Sequence, residues 1–139
     1  QARQVADACQ LFDEWAAVAM QNADLALRSG PRQILVHGHC HQKALVGTGA
    51  TSALLAAIPD SQITALDSGC CGMAGAFGYP AEHYDVSMQM GELDLLPAVR
   101  RGGDDTLIVA PGTSCRAQIL DGTGRVALHP AELLKRALY

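Results

Sequence analysis

Four short runs of branched apolar residues constrain the fold of this chain more than any other feature. They lie at 33–37, 62–66, 106–110 and 125–128, and each is followed by a loop and then by a helix-compatible segment. Strands that alternate with helices in this way usually form parallel pairs joined by crossover helices. Continuous apolar runs are also typical of strands covered on both faces. The order of segments therefore predicts an α/β fold.

The predicted architecture is a four-stranded, mostly parallel sheet with crossover helices, which is a Rossmann-like three-layer arrangement with an N-terminal helix. Apolar residues three or four apart, without Gly or Pro, predict that N-terminal helix over 3–28. Further helices are predicted at 42–58, at 82–99, shortly after Cys115, and at 131–138. We divide the chain into a helical arm, 1–30, and a cysteine-rich α/β domain, 31–139.

Composition indicates one globular domain and excludes several classes of protein. The 139 residues are 49% apolar and 17% charged, which suits a chain with a real core. The net charge of −4 is spread along the chain, which argues against nucleic-acid binding because that function usually needs a basic stripe. No apolar run reaches the roughly 18 residues of a membrane span, and no signal-peptide pattern is present. Because the chain begins at Gln1 rather than Met, we expect a fragment of a larger protein.

Four cysteines follow the carboxyl ends of predicted strands. Cys40 follows the first strand, Cys70 and Cys71 follow the second, and Cys115 follows the third. In an open parallel sheet these loops share one edge, where ligands usually bind. We therefore expect the four thiols to converge, with helix N-termini that favour their thiolate forms. Such a cluster suits zinc or an iron–sulfur centre.

The adjacent pair Cys70-Cys71 is the most specific element of that cluster. Glycines on both sides allow a sharp turn and a close approach to a bound group. Neighbouring cysteines do not readily form a disulfide with each other, so both can face one soft metal. The odd total of five cysteines favours reduced thiols in a cytoplasmic compartment.

The remaining histidines and cysteines leave alternatives open. His39 and His41 alternate around Cys40, and on an extended segment they would share one face, from which either one is a candidate metal ligand. A nucleophilic pair of Cys40 and His41 would make the chain a thiol enzyme, but sequence neighbours rarely serve as such a pair. Cys9 is interpreted as a small buried apolar residue, and His129 as a helix-entry residue.

Three sequence blocks resemble a known family. They are GHCHQKA at 38–44, DSGCCGMAGAFGY at 67–79 and GTSCRAQI at 112–119. Together they resemble the cysteine-rich CCG domain that is found in heterodisulfide reductase and in the iron–sulfur subunits of glycolate and anaerobic glycerol-3-phosphate oxidases. The resemblance is closest to the C-terminal segment of FAD-linked oxidases of the D-lactate and D-2-hydroxyglutarate dehydrogenase type.

The resemblance implies a metal-binding, electron-transfer domain of an FAD-linked oxidase that acts on a 2-hydroxy acid of the D-lactate, glycolate or D-2-hydroxyglutarate class. Cys40, Cys70, Cys71 and Cys115 would hold an iron–sulfur cluster, such as a 4Fe-4S cluster, or zinc, and His39 or His41 would supply a further ligand. FAD would belong to the parent protein, and this fragment would be inactive alone. Its partners would be the flavin domain and another iron–sulfur domain of the same parent.

We expect a cytoplasmic protein that associates peripherally with the inner face of the membrane through its partners. The alternative is a structural zinc or metal-free module that shapes, or docks onto, the parent's active site.

The third block departs from the family pattern at one position. The fuller motif ends in Cys-x-x-Cys, whereas here Gln118 stands where the second thiol would be. Four thiolates suffice for one cubane cluster or one zinc, but they are fewer than the five of the non-cubane type. Arg116 offers a cationic fork that suits a substrate carboxylate, so we also consider a contact between Arg116 and a hydroxy acid.

Overall fold

The computed structural model describes residues 1–23 and 25–138 and contains one four-stranded sheet in the order β2-β1-β3-β4. The strands are β1 (Gln33–Val36), β2 (Gln62–Ala65), β3 (Thr106–Val109) and β4 (Ala127–Leu128). Every neighbouring pair is parallel, with Ile34 opposite both Ile63 and Leu107. The predicted α/β fold with a parallel sheet is therefore confirmed.

Eight helices surround the sheet within the described residues. They are α1 (Ala2–Ala8), α2 (Phe12–Asn22), α3 (Cys40–Leu45), α4 (Gly49–Ala56), α5 (Ala81–Leu93), α6 (Leu95–Arg101), α7 (Thr113–Thr123) and α8 (Pro130–Leu138). None of the helices described is both long enough and apolar enough to cross a membrane.

Three long predicted helices were wrong in their continuity. The N-terminal prediction over 3–28 is two helices, α1 and α2, and residues 25–28 are not helical; position 24, like position 139, lies outside the described residues. The prediction over 42–58 is interrupted where Gly47 has a φ of 74°, which ends the first helix. The prediction over 82–99 breaks at Asp94, because Pro97 has no N–H to donate to the carbonyl of Leu93.

The sheet has an apolar layer on each face, as expected for strands with alternating side-chain directions. Leu35 and Ile108 pack on one face with side chains of α6 and α7. Ile34, Val36 and Val109 pack on the other face with side chains of α4 and α8. The predicted three layers are thus present. Helix α2 adds a further contact, because its Ala16 and Ala17 pack against Leu54 and Leu134.

The strand order creates a crevice at the carboxyl edge of the sheet. The chain moves from β1 to β2 on one side, and later places β3 on the opposite side of β1. The helix α4 that follows β1 covers one face, whereas α7, which follows β3, covers the other. The segments after β1 and β3 therefore diverge, and in open α/β sheets ligands bind at such a switch point.

Candidate metal centre

Two cysteines and one histidine meet at this switch point. Among the described residues, His37, Cys71 and Cys115 form a group whose potential ligand atoms all lie within 4.8 Å of one another. His37 directly follows β1, Cys71 lies in the loop after β2, and Cys115 is in the first turn of α7 after β3. All three side chains are buried, with exposed fractions of 1%, 4% and 1%. Three loops thus bring one nitrogen and two sulfur donors together out of solvent.

His37 is the residue of this group that the sequence analysis did not single out as a candidate. Its Nδ1 lies 2.8 Å from the hydroxyl oxygen of buried Ser68. Its Nε2 is buried without a hydrogen-bond partner among the described residues. Its position in the sequence could have identified it, because it is the last residue of an apolar run that forms an internal strand of the sheet.

The two buried thiols differ in their readiness to ionise. The neighbouring Cys115 thiol lowers the pKa of Cys71, and the nearby His37 ring adds to this effect, although burial opposes it. Conversely, the proximity of Cys71, burial and the negative charge of Cys71 raise the pKa of Cys115. Of the two thiols, Cys71 therefore ionises the more readily. Thiolate is the form that binds metals.

Cys40 and Cys70 lie at the same edge but outside the compact group. Cys40 is the first residue of α3 and is half-buried, and half-buried Cys70 accepts a hydrogen bond from Gly72 N at 3.4 Å. Negative charge on either of them contributes to raising the pKa of Cys115, so both lie within electrostatic range of it. The structure thus brings Cys71 and Cys115 together directly and places the other two thiols around them.

Close backbone contacts hold the loop that carries the cysteine pair. Gly72 has a φ of 98°, and a Cβ there would collide with the carbonyl oxygen of Ser87 in α5. Lys43 of α3 donates to the carbonyls of Ser68 and Gly69. Glycine at 72 is thus required for both the conformation and the contact, and Lys43 ties the loop to the segment that carries Cys40.

His39 and His41 occupy a different surface from His37. His39 is the N-cap of α3 and His41 lies in its first turn, so the expected extended segment was wrong. The two rings nevertheless lie side by side, with centroids 5.7 Å apart. Gly112 leaves room for His39, because a Cβ there would lie 2.6 Å from His39 Cδ2 and 2.9 Å from Cys115 Sγ. His39 is thus the nearer of the two to the sulfur group.

Both rings line a cleft of about 440 Å³ beside the sulfur group. The start of α2 and side chains of α3, including Leu11, Phe12, Leu45 and Val46, form much of its wall. These four side chains are exposed. The cleft is therefore an open, largely apolar surface that adjoins the candidate metal centre.

The other predicted residues have structural contacts in this structure. The Arg116 guanidinium donates to the carbonyls of Ala110 and Pro111 at 2.9 and 2.8 Å, so it supports the β3–α7 connection. Gln118 is buried, and its amide nitrogen donates to the carbonyl and hydroxyl oxygens of Ser87 at 3.0 and 3.1 Å. A contact between Arg116 and a substrate stays a prediction.

Cys9 was wrongly interpreted as a buried apolar residue. It is an exposed free thiol between α1 and α2, because the predicted single helix ends at Ala8 and begins again at Phe12. Its side chain therefore does not pack in the core, and it lies at the rim of the cleft.

The donor set fits a soft or borderline metal. Thiolate and imidazole are the ligands that zinc and iron–sulfur centres use, and the partnerless Nε2 of His37 is a buried atom that such a metal would satisfy. The compact group offers three donors. Cys40 and Cys70 are further thiols near it, because negative charge on either one contributes to raising the pKa of Cys115.

Comparison with known proteins links this chain to dehydrogenases. It is 36% identical over 114 residues to the C subunit of anaerobic glycerol-3-phosphate dehydrogenase from Escherichia coli (strain K12), which covers 82% of this chain and 28% of that protein. It is 34% identical over 127 residues to D-2-hydroxyglutarate dehydrogenase of the same organism, which covers 89% of this chain and 12% of that protein.

A D-2-hydroxyglutarate dehydrogenase from Pantoea ananatis (strain AJ13355) is 28% identical over 125 residues. No family model matches the chain, and no solved structure matches it significantly. The chain thus spans 28% of the length of the first of these relatives and 12% of the second. Both are oxidoreductases of the two kinds to which the cysteine blocks point.

Proposed function

We propose that this chain is the metal-binding, electron-transfer domain of an FAD-dependent 2-hydroxy-acid dehydrogenase. The observation that carries the proposal is the buried meeting of Cys71, Cys115 and His37 at the switch point of the sheet. Burying this group for packing alone is costly, because it takes polar atoms out of water and leaves His37 Nε2 without a hydrogen-bond partner among the described residues. The similarity to two dehydrogenases supports a redox role for it.

The proposed centre is an iron–sulfur cluster held by Cys40, Cys70, Cys71 and Cys115. When bound, such a cluster accepts and releases single electrons. The chain's own residues prepare the place: the surroundings of Cys71 lower its pKa and so favour the thiolate, and Lys43 fixes the loop of the cysteine pair against α3. Four thiolates are the usual ligand set of a 4Fe-4S cubane.

The rest of the parent protein would supply the flavin and the substrate. The relatives are several times longer than this chain, which leaves room for a flavin domain and a second iron–sulfur domain. We propose a 2-hydroxy acid of the D-lactate, glycolate or D-2-hydroxyglutarate class as substrate, and D-2-hydroxyglutarate is the one that a relative's name supports. Electrons would pass from FAD to the centre held here.

The apolar rim of the cleft, consisting of Leu11, Phe12, Trp15, Leu45 and Val46, is the proposed docking surface for the parent. All five side chains are exposed, and four of them line the cleft beside His39 and Gly112. An exposed apolar patch of this kind commonly marks an interface. Its position would bring a redox partner close to the sulfur group.

A structural zinc site is the second candidate. The compact set of one nitrogen and two sulfur donors favours it, because zinc readily takes histidine and cysteine together. In that case the chain would shape or dock onto the parent's active site without carrying electrons.

Metal analysis and absorption spectroscopy of anaerobically purified protein distinguish the two candidates. We expect brown protein with bound iron that bleaches on reduction, and we expect Cys71→Ser and Cys70→Ser to lose both iron and colour. Cys9→Ser is the matched control, because Cys9 is an exposed thiol outside the buried group, and it should keep both.

Stoichiometric zinc without a redox signal would replace the first candidate with the second. Protein that remains colourless and free of iron after anaerobic reconstitution would contradict the electron-transfer proposal.

A further inference from the structure

His37 has an arrangement that metal-binding histidines commonly have, and its role as a ligand rests on the proposed function. His37 is almost fully buried, with an exposed fraction of 1%. Nδ1 is held by Ser68 at 2.8 Å, while Nε2 has no partner among the described residues. Metal-binding histidines typically have one nitrogen fixed by a hydrogen bond and the other directed at the metal.

A buried nitrogen without a partner is unfavourable, so its presence calls for a ligand. Such an unsatisfied buried atom loses its hydrogen bonds to water without gaining any in the protein. The nearest chemistry is the sulfur pair, because the ligand atoms of His37, Cys71 and Cys115 all lie within 4.8 Å of one another. A metal between the two sulfurs would satisfy the nitrogen as well.

The neighbouring histidines are less suited to this role. His41 is exposed and His39 is half-buried, and both line the open cleft. Neither belongs to the compact group of donors.

We propose that His37 Nε2 is a direct ligand of the metal centre, placed beside Cys71 and Cys115, and that Ser68 is its positioning residue. With Nδ1–H donated to the Ser68 hydroxyl, the neutral tautomer presents the Nε2 lone pair to the metal. A cubane has four ligand positions, so His37 would take the place of one of the four cysteines beside Cys71 and Cys115. A neutral imidazole in place of that thiolate would leave the centre less negative, and such a change raises the reduction potential.

Pulsed electron paramagnetic resonance on the reduced, iron-loaded protein tests this ligand directly. We expect nitrogen coupling that changes from the ¹⁴N to the ¹⁵N pattern when the protein is labelled with ¹⁵N-histidine. His37→Gln should remove the coupling, whereas His39→Ala and His41→Ala should retain it. If His37→Gln folds poorly, the wild-type measurement still shows whether a histidine is a ligand, and retention of the coupling in His39→Ala and His41→Ala then assigns it to His37 rather than to either neighbouring histidine.

Ser68→Ala provides the test of positioning. We expect it to keep the histidine coupling but to weaken binding of Co²⁺ to the metal-free protein by about 10–100-fold, the usual effect of removing a partner that orients a ligand. Ser52→Ala, a change of the same kind in α4, should leave Co²⁺ affinity unchanged. Unchanged Co²⁺ affinity in Ser68→Ala would overturn the positioning role.

The outcomes separate the role of His37 from the proposed function. An iron–sulfur centre without histidine coupling, or with coupling that persists in His37→Gln, overturns the role of His37 and leaves the electron-transfer function intact. Absence of iron, together with Co²⁺ binding that His37→Gln weakens, overturns the iron–sulfur centre and supports the His37 ligand. If the protein binds neither iron nor Co²⁺, both the proposed function and the role of His37 are overturned.

Discussion

Gly72 forms the backbone turn that directly follows Cys71. Its φ of 98° is unfavourable for a residue with a side chain, and a Cβ would collide with Ser87 O. We expect Gly72→Ala to reduce the free energy of unfolding by about 3 kcal/mol, from backbone strain and overpacking together. Urea denaturation of the metal-free protein measures this loss.

Gly75→Ala is the control for that prediction. Gly75 also has a positive φ, 73°, but a Cβ there would have no heavy atom within 4 Å. Only the backbone term of about 1–2 kcal/mol should then remain. Equal losses in the two variants would show that the contact with Ser87 does not constrain the loop.

His37 shows what sequence reasoning misses at the scale of single residues. The cysteines were predictable as a group because cysteine chemistry is conspicuous at strand ends, whereas His37 is the first of three closely spaced histidines. Two structural facts separate it from His39 and His41. Strand β1 lies between β2 and β3, so the residue that follows it is covered on both sides, and α3 then begins at Cys40 and directs the next histidines elsewhere.

A buried polar chain joins three helices at the scale of elements. Thr51 of α4 donates to the carboxylate of Asp13 in α2 and accepts from Gln42 Nε2 of α3 at 2.7 Å. All three side chains are buried. This series of hydrogen bonds therefore connects α2 to α3, the helix that carries Cys40.

We expect Thr51→Val to reduce the free energy of unfolding by about 2 kcal/mol or more. Valine keeps the shape but leaves the buried Asp13 carboxylate and the Gln42 amide without their shared hydroxyl, and such unsatisfied groups are costly. Thermal or urea denaturation measures the change, and Ser52→Ala, one residue along the same helix, should lie within about 0.5 kcal/mol of wild type. Equal stability of Thr51→Val and wild type would show that the hydroxyl is dispensable.

Strands were predictable from sequence to within two residues, and so was the last helix, α8, whereas the three long helices were not. The apolar runs mark the central strands β1 and β3 directly, because burial on both faces leaves no polar alternation. Strand β2, at the edge of the sheet, is largely exposed, so the expected cover on both faces is wrong for it. Helix continuity depends on single residues: Gly47 and Pro97 each divide a segment that has a helical pattern overall. At β4, Arg125 donates to the carbonyls of Val99 and Gly102 at 2.8 Å, and the strand begins only at Ala127.

The whole molecule has two chemically different ends. Its carboxyl edge carries the buried sulfur group and the adjacent cleft with its exposed apolar rim. Convergence of the strand ends followed from parallel order alone, so the sequence was sufficient to place Cys71 and Cys115 at this edge. The depth at which each donor lies was not predictable, because it depends on how α3, α5 and α7 pack around the crevice.

The apolar rim leads to a prediction about the parent protein. We expect Leu45→Asp to slow electron transfer from the reduced flavin to the centre held here by about tenfold, which corresponds to about 1.4 kcal/mol of lost docking energy. Leu45 is 80% exposed, so the change removes apolar contact without disturbing the core. Stopped-flow measurement of flavin reoxidation in the full-length parent gives the rate.

Val126→Asp is the matched control, since Val126 is 69% exposed but precedes β4 and so lies at the amino edge of the sheet. A charge placed there should leave the rate unchanged, because a partner that delivers electrons must approach the carboxyl edge, where the thiols are. If both variants slow the reaction equally, the effect is not specific to the rim. If neither does, the flavin domain approaches the sulfur group from another direction, and the rim serves a different contact.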